Sequence, residues 1–143
     1  MKPRAVFKLL LISTILVSII AGVVAAVSFS SLPAPLLEYL QTTPVGPAVL
    51  LSRLPRPLAV VLSIVVGVIE IASFIGLWRF RRWGRTLYVA FNIFYVLCLP
   101  FMGPLVLPPS ATPLFYVDYL LQGALIAMAY LPPIANVFAT QEI

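Results

Sequence analysis

Four long apolar runs, separated by segments rich in Pro or Arg, constrain this chain more than any other feature. A helix needs about 20 mainly apolar residues to cross the ~30 Å hydrocarbon core of a bilayer. Runs close to this length cover residues 6–29, 58–78, 86–101 and 114–131. The sequence therefore predicts an all-α membrane protein, in which residues 1–143 form one integral membrane domain with a bundle of four transmembrane helices.

The composition excludes most soluble functions. Of the 143 residues, 62% are hydrophobic and 9% are charged, whereas soluble domains carry about 25% charged residues. The net charge of +5 is better explained by membrane topology than by nucleic-acid binding. Because the chain has no His and a single Cys, at position 98, it lacks an intrachain disulfide, a His-ligated haem and the common zinc sites. We expect no metal and no cofactor.

The first apolar run has two interpretations. The basic start, Met1–Lys8, and the small residues at Ala26–Ser28 are also found in secretory signal peptides. The apolar stretch is longer than the usual ~7–15 residues of a signal peptide. We therefore expect an uncleaved transmembrane helix.

The distribution of Lys and Arg predicts the orientation, because cytoplasmic segments are enriched in these residues. With both termini in the cytoplasm, seven of the nine cations lie on that side and two lie outside. The seven are Lys2, Arg4, Lys8, Arg79, Arg81, Arg82 and Arg85, and the two are Arg53 and Arg56. We expect a bacterial inner-membrane protein with cytoplasmic termini.

Residues 79–85 form the predicted cytoplasmic hairpin between the second and third spans. Trp favours the membrane interface, and Arg contacts anionic lipid headgroups. The main interpretation is an anchor that fixes the topology through membrane lipids, and the alternative is a dedicated lipid or partner site. The candidate lipid-contacting residues are Trp78, Arg79, Arg81, Arg82, Trp83 and Arg85.

Two outer loops, residues 30–57 and 102–113, are apolar and contain most of the 14 Pro residues. Pro restricts the backbone, so the loops are expected to be stiff. Short helices lying in the membrane interface are predicted at residues 35–41 and 47–54. The loops are interpreted as a cap on the bundle, with a docking surface for another membrane protein as the alternative.

Glu70 is the acidic residue predicted to lie deepest in a span. It precedes Trp78 by eight residues, which places it about 12 Å from the helix end. An intramembrane charge is costly and marks a candidate functional site. Antiparallel pairing of the second and third spans places Asn92 at a similar depth. The predicted inward-facing polar cluster contains Glu70, Asn92, Tyr88, Tyr95 and Thr14, with Ser18 as a further candidate.

Three roles are open for this predicted cluster. Hydrogen bonds between spans contribute about 1 kcal/mol each and would stabilise the helix packing. Proton or cation coupling and contact with a partner helix are the alternatives.

Asp118 and Gln122 form a second predicted polar pair, near the outer end of the fourth span. They are four residues apart and therefore share one helix face. At this depth Asp118 is expected to reach water or to form an ion pair with Arg53 or Arg56.

Small residues four apart recur along the spans and allow helices to approach closely. The pairs are Gly22 with Ala26, Ser63 with Gly67, Ala72 with Gly76, and Gly123 with Ala127. Such pairs are compatible with contacts within one chain or between chains.

The sequence favours a binding function over an enzymatic one. It has no His-dependent catalytic set and no phosphate-binding loop motif. We expect a non-enzymatic accessory or interaction subunit, a class that includes immunity-type proteins, which binds another membrane protein or forms a homo-oligomer. The main alternative is an oligomeric proton- or cation-coupled transporter or channel centred on Glu70. A membrane enzyme that acts on lipid is a third possibility.

Overall fold

A computed structural model describes residues 3–103 and 106–140, and all regular elements in these residues are helical. The helices are α1 (Pro3–Ser28), α2 (Ala34–Thr42), α3 (Pro47–Ser52), α4 (Arg56–Trp78), α5 (Arg82–Cys98), α6 (Thr112–Tyr130) and α7 (Ile134–Thr140). Short 3-10 turns extend α1 to Ser31 and α5 to Phe101. Lys2, which contributes to the predicted orientation, and residues 104–105 of the predicted second outer loop lie outside the described residues.

Four of the helices, α1, α4, α5 and α6, are long and apolar enough to cross a membrane. This agrees with the four predicted spans and indicates a membrane-embedded protein. Each helix starts slightly earlier than its predicted span. In α4 and α6 the reason is a Pro in the first helical turn, where the missing N–H leaves no hydrogen bond unmade.

The four long helices associate as two antiparallel pairs. α4 packs along α5, and α1 packs along α6, whereas contacts between the two pairs are sparse. The buried residues of α1 recur at intervals of three, four and seven along one face: Phe7, Leu11, Thr14, Ala21 and Ala25. This spacing is typical of two helices that share a continuous seam.

One end of the molecule, here called the hairpin end, contains the start of α1, the turn 79–81 and helix α7. Its core includes Phe7, Leu77, Phe80, Leu125 and Phe138. The rings of Phe7, Phe80 and Phe138 contact one another with centroid distances of 5.4, 5.8 and 5.4 Å. The core therefore joins all four long helices and α7 at this end.

The opposite end, here called the loop end, contains residues 29–55, 99–103 and 106–111. Helices α2 and α3 form where the short outer helices are predicted. No residue of α2 or α3, both fully described, is buried. Among the described residues of this end, the buried side chains are Leu32, Met102, Pro108 and Ala111, and all but Leu32 belong to the second loop.

Candidate functional site

A hydrogen-bonded polar group lies between α1 and α6. The Ser18 hydroxyl donates to Asp118 Oδ1 at 2.6 Å, and the Gln122 amide donates to Asp118 Oδ2 at 2.8 Å. Asp118 is 5% exposed. Both carboxylate oxygens therefore have a donor, which lowers the cost of burying this side chain in a membrane-spanning helix.

The predicted ion pair of Asp118 with Arg53 or Arg56 is wrong. Both arginines are exposed at the loop end. Antiparallel pairing brings Asp118 against Ser18, which lies well inside α1. The carboxyl group thus links α1 and α6 through a hydrogen bond and does not face the outer surface.

Two members of the predicted inward-facing cluster hydrogen bond within their own helices. The hydroxyl of the fully buried Thr14 donates to the Leu10 carbonyl at 2.9 Å. The Asn92 amide donates to the Tyr88 carbonyl at 2.9 Å. These bonds satisfy polar atoms locally, as Ser, Thr and Asn often do in helices, and they do not bridge spans.

Glu70 does not join an interior cluster, which corrects the sequence-based expectation. Its side chain is exposed on α4, whereas the buried residues of α4 are Ser73, Gly76 and Leu77. Residues three apart in a helix are offset by about 60° around its axis. Since Ser73 and Gly76 lie on the buried face of α4 and Gly76 meets Gly84 of α5, Glu70 lies at the edge of that face and is exposed.

Tyr88 and Tyr95 have different surroundings on α5. The Tyr88 ring lies 5.7 Å from the Phe74 ring and is buried. Its hydroxyl makes no hydrogen bond of good geometry among the described residues, but the Asn92 side chain lies close enough to interact with it. Tyr95 is half-buried and lies beside Tyr119 of α6. The five predicted cluster members are therefore distributed over three helices without a shared hydrogen-bond network in the described chain.

The hairpin end depends on a close approach of two glycines. A Cβ built on Gly84 would lie 2.4 Å from the backbone of Gly76. Neither position can accept a side chain without moving a helix. Gly76 belongs to the small-residue pair Ala72–Gly76 noted in the sequence, and the glycine that it contacts, Gly84, is in the same chain.

The four hairpin arginines fall into two groups. Arg82 Nε donates to the Phe138 carbonyl at 3.3 Å, and Arg85 Nη1 donates to the Ala129 carbonyl at 3.2 Å. The Arg85 guanidinium also lies 4.4 Å from the centre of the Tyr130 ring. These two cations therefore fasten α6 and α7 to the hairpin.

The other group consists of Arg79 and Arg81, both exposed in the turn. Trp78 and Trp83 are also exposed, as expected for side chains at a membrane interface. These four members of the predicted lipid-contacting set are thus exposed: Trp78, Arg79, Arg81 and Trp83. Sequence reasoning did not find the roles of Arg82 and Arg85, because their acceptors are backbone carbonyls far away in the chain.

The described residues contain no group of three or more His, Cys, Asp or Glu side chains that could hold a metal ion. Cys98 is a free, half-buried thiol near the end of α5.

Comparison with known proteins gives no relative: no protein family, no curated protein and no solved structure matches the chain.

Proposed function

We propose that this protein is a non-enzymatic interaction subunit of a membrane assembly, and that the outward face of α4 binds a transmembrane helix of another membrane protein. The observation that carries the proposal is the exposed carboxyl group of Glu70 on a spanning helix. No described residue donates a hydrogen bond to this side chain. A partner helix would supply this hydrogen-bond donor.

The energetic reason is the cost of a carboxyl group in hydrocarbon. An acidic side chain near the centre of a span costs about 2.5–3.5 kcal/mol on insertion scales. Glu70 lies eight residues from the end of α4 at Trp78, hence about 12 Å from that end. Hydrogen bonding to a partner span would recover part of this cost.

The surrounding face of α4 supports the same proposal. Ser63, Gly67 and Glu70 lie on one side of the helix, at positions i, i+4 and i+7. A Cβ built on Gly67 would have no atom within 4 Å. The small residues therefore leave room for close approach of another helix, and association through this face would extend the two helix pairs into a larger bundle.

A crosslinking experiment in native membranes tests this proposal. A photoreactive amino acid replaces Ser63 or Ile71, which flank Glu70, and a matched probe replaces Leu120, which is 74% exposed on α6. We expect a defined protein adduct from both α4 positions and only lipid or background adducts from Leu120. Mass spectrometry identifies the adduct as another protein or a second copy of this chain. Equal adduct yields at all three positions would contradict the proposal.

The chemistry of Glu70 is tested by two replacements in the same assay. Glu70→Gln keeps hydrogen-bonding capacity and is expected to retain the adduct. Glu70→Leu removes that capacity, and a lost hydrogen bond of about 1 kcal/mol lowers the yield about fivefold.

The same exposed carboxyl favours one second candidate, a proton- or cation-coupled transporter in which Glu70 lines a path between copies of the chain. This candidate requires titration and not only hydrogen bonding. In proteoliposomes with a pH-sensitive dye, Glu70→Gln would abolish ion flux while the oligomer persists. Absence of flux in the wild-type protein would remove this candidate and leave the interaction proposal intact.

We also propose that the hairpin end faces the cytoplasm of a bacterial inner membrane. The support is the clustering of Arg and Lys at this end. With Cys98 replaced by Ala, a membrane-impermeant maleimide applied to intact cells should label Arg53→Cys and spare Arg81→Cys. The reverse labelling pattern would invert the proposed orientation.

A further inference from the structure

The hairpin end contains a pocket with four cationic side chains. It has a volume of about 720 Å³ and is lined by Arg4, Lys8, Trp78, Arg79, Phe80 and Arg81. No acidic residue lines it. We call this site the basic pocket. It brings together residues from the first turns of α1 and from the turn after α4, which are more than 70 positions apart in the sequence.

The turn that forms one wall of the basic pocket has a defined backbone. The N–H of Arg81 donates to the Gly76 carbonyl at 2.9 Å, and the N–H of Phe80 donates to the Leu77 carbonyl at 3.0 Å. This pair of bonds is the Schellman motif, which usually has Gly at the left-handed position. Here that position is Phe80, with a φ of 53°.

The left-handed conformation of Phe80 is stabilised by burial of its ring. A non-Gly residue is disfavoured in this conformation. Phe80 is only 4% exposed, and burial of its apolar ring offsets that cost. Because Phe80 is fixed in the core, its two neighbours, Arg79 and Arg81, are both held at the pocket.

The opposite wall is fixed by Lys8. Its ammonium lies 4.6 Å from the centre of the Trp78 ring and 5.9 Å from the centre of the Phe80 ring. Arg4 precedes Lys8 by four residues and shares its helix face. The cations of the pocket therefore belong to ordered elements on both sides.

No side-chain hydrogen bond from these four cations to an acceptor occurs within the described residues. Arg82 and Arg85 of the same hairpin, in contrast, donate to backbone carbonyls. Four like charges around one pocket repel each other over distances comparable to the ~8 Å screening length at physiological salt. A bound anion would relieve this repulsion.

We propose that the basic pocket binds the phosphate group of an anionic phospholipid. The pocket lies where two spanning helices, α1 and α4, have their ends, which is the level of lipid headgroups. Basic pockets at such positions recognise phosphate headgroups, and Arg forms paired hydrogen bonds with phosphate oxygens. Arg79 and Arg81 bind the phosphate from the turn, Arg4 and Lys8 bind it from α1, and the exposed Trp78 contacts the glycerol region.

Lipid retention measured by native mass spectrometry tests the site. The protein is reconstituted with equal amounts of phosphatidylcholine and phosphatidylglycerol, extracted, and analysed for bound lipid. We expect the wild type to retain phosphatidylglycerol, and Arg79→Gln/Arg81→Gln to lower its relative affinity about thirtyfold, since each cation contributes about 1 kcal/mol. Arg4→Gln/Lys8→Gln, which changes the other wall, should produce a loss in the same direction.

The matched control is Arg53→Gln/Arg56→Gln, which removes two cations at the loop end and should leave retention unchanged. Equal retention by the wild type and both pocket variants would overturn the proposal. An equal loss in the control variant would also overturn it, because it would show an effect of total charge. Melting curves in neutral lipid identify any variant that fails to fold, and the remaining pocket variant then decides the outcome.

Competition with soluble phosphate identifies the source of the phosphate group. Inorganic phosphate and glycerol phosphate, each at millimolar concentration, are added to the lipid-loaded protein. We expect phosphatidylglycerol to stay bound, because its acyl chains and headgroup act together. Displacement of the lipid, with equal stabilisation of the delipidated protein by inorganic phosphate, would overturn the assignment to lipid and indicate a soluble phosphate ligand.

Discussion

The two ends of this protein are stabilised in different ways. At the hairpin end, three Phe rings meet and two arginines donate to distant backbone carbonyls. At the loop end, α2 and α3, which the structure describes in full, contain no buried residue. Large side chains there, such as Phe101, are mostly exposed. The hairpin end is therefore stabilised by contacts within the chain, whereas the loop end leaves large apolar side chains exposed to its surroundings.

This contrast has a consequence for the middle of the membrane. The two helix pairs are joined mainly at the hairpin end. Further along the spans, α1 and α6 are linked by the Asp118 hydrogen bonds, while α4 exposes Glu70. A firmly assembled end combined with an exposed face on α4 is what the proposed subunit would need in order to keep its own fold while it binds a partner laterally.

The largest expected effect comes from removal of one ring at the hairpin end. Phe138 is fully buried, and truncation of a buried Phe to Ala typically costs about 3–5 kcal/mol. Phe138→Ala should lower the thermal unfolding temperature in detergent strongly. Phe101 is the matched control at the loop end, since it is 65% exposed, and Phe101→Ala should have little effect. Similar losses for the two variants would remove the distinction between the ends.

The glycine contact is expected to have the next largest effect. A Cβ on Gly84 meets only backbone atoms within 2.8 Å, so the clash cannot be relieved by a side-chain rotation. Gly84→Ala should destabilise the protein by about 1–3 kcal/mol, as overpacking does in other cores.

Gly123→Ala is the control for this substitution. A Cβ on Gly123 has no atom within 4 Å, and Ala is the better helix former. Gly123→Ala should therefore be neutral or stabilising in the same unfolding assay. A stable Gly84→Ala protein would show that α4 and α5 do not cross at these glycines.

The coarse fold could be predicted from the sequence because length and hydropathy act locally. Each span needs enough apolar residues to cross the bilayer, whatever its neighbours are. The positions of α2 and α3 follow from Pro residues in their first turns, Pro35 and Pro47. These features require no knowledge of which helices touch.

The candidate sites were harder to predict because they depend on the pairing and rotation of the helices. Depth alone placed Glu70 near Asn92, but the glycine contact turns Glu70 outward. Position along the span predicts that Asp118 lies near the outer surface, and its actual partner, Ser18, is 100 positions away, where sequence spacing carries no information. The positive-inside rule placed Arg4 and Arg79 on one side of the membrane, but it contains no information on which cations share a pocket.

A smaller effect is expected at the link between α1 and α6. Ser18→Ala removes one donor to the Asp118 carboxylate. Hydrogen bonds between membrane helices contribute about 0.6–1.7 kcal/mol, and the Gln122 bond remains. We therefore expect a modest loss of stability in a steric-trap or detergent-unfolding measurement.

Ser63→Ala provides the comparison for Ser18→Ala. The Ser63 hydroxyl donates only to the Ala59 carbonyl of its own helix, so its removal should not weaken an association of spans within the chain. If the two variants unfold alike, the Ser18–Asp118 bond does not link the helices in the membrane.

The smallest effect is expected at Tyr88, whose ring and hydroxyl group have separate roles. The ring contacts Phe74, whereas the hydroxyl is buried without a hydrogen-bond partner in the described residues. A buried polar atom with no partner carries a desolvation cost. Tyr88→Phe should therefore change the unfolding free energy by less than about 0.5 kcal/mol or stabilise the protein slightly. Tyr88→Ala removes the ring as well and should be clearly destabilising.

A marked loss of stability in Tyr88→Phe would reveal a partner for the hydroxyl in the assembled membrane protein. Asn92, whose side chain lies beside this hydroxyl, would be the first residue to test by a double-mutant cycle.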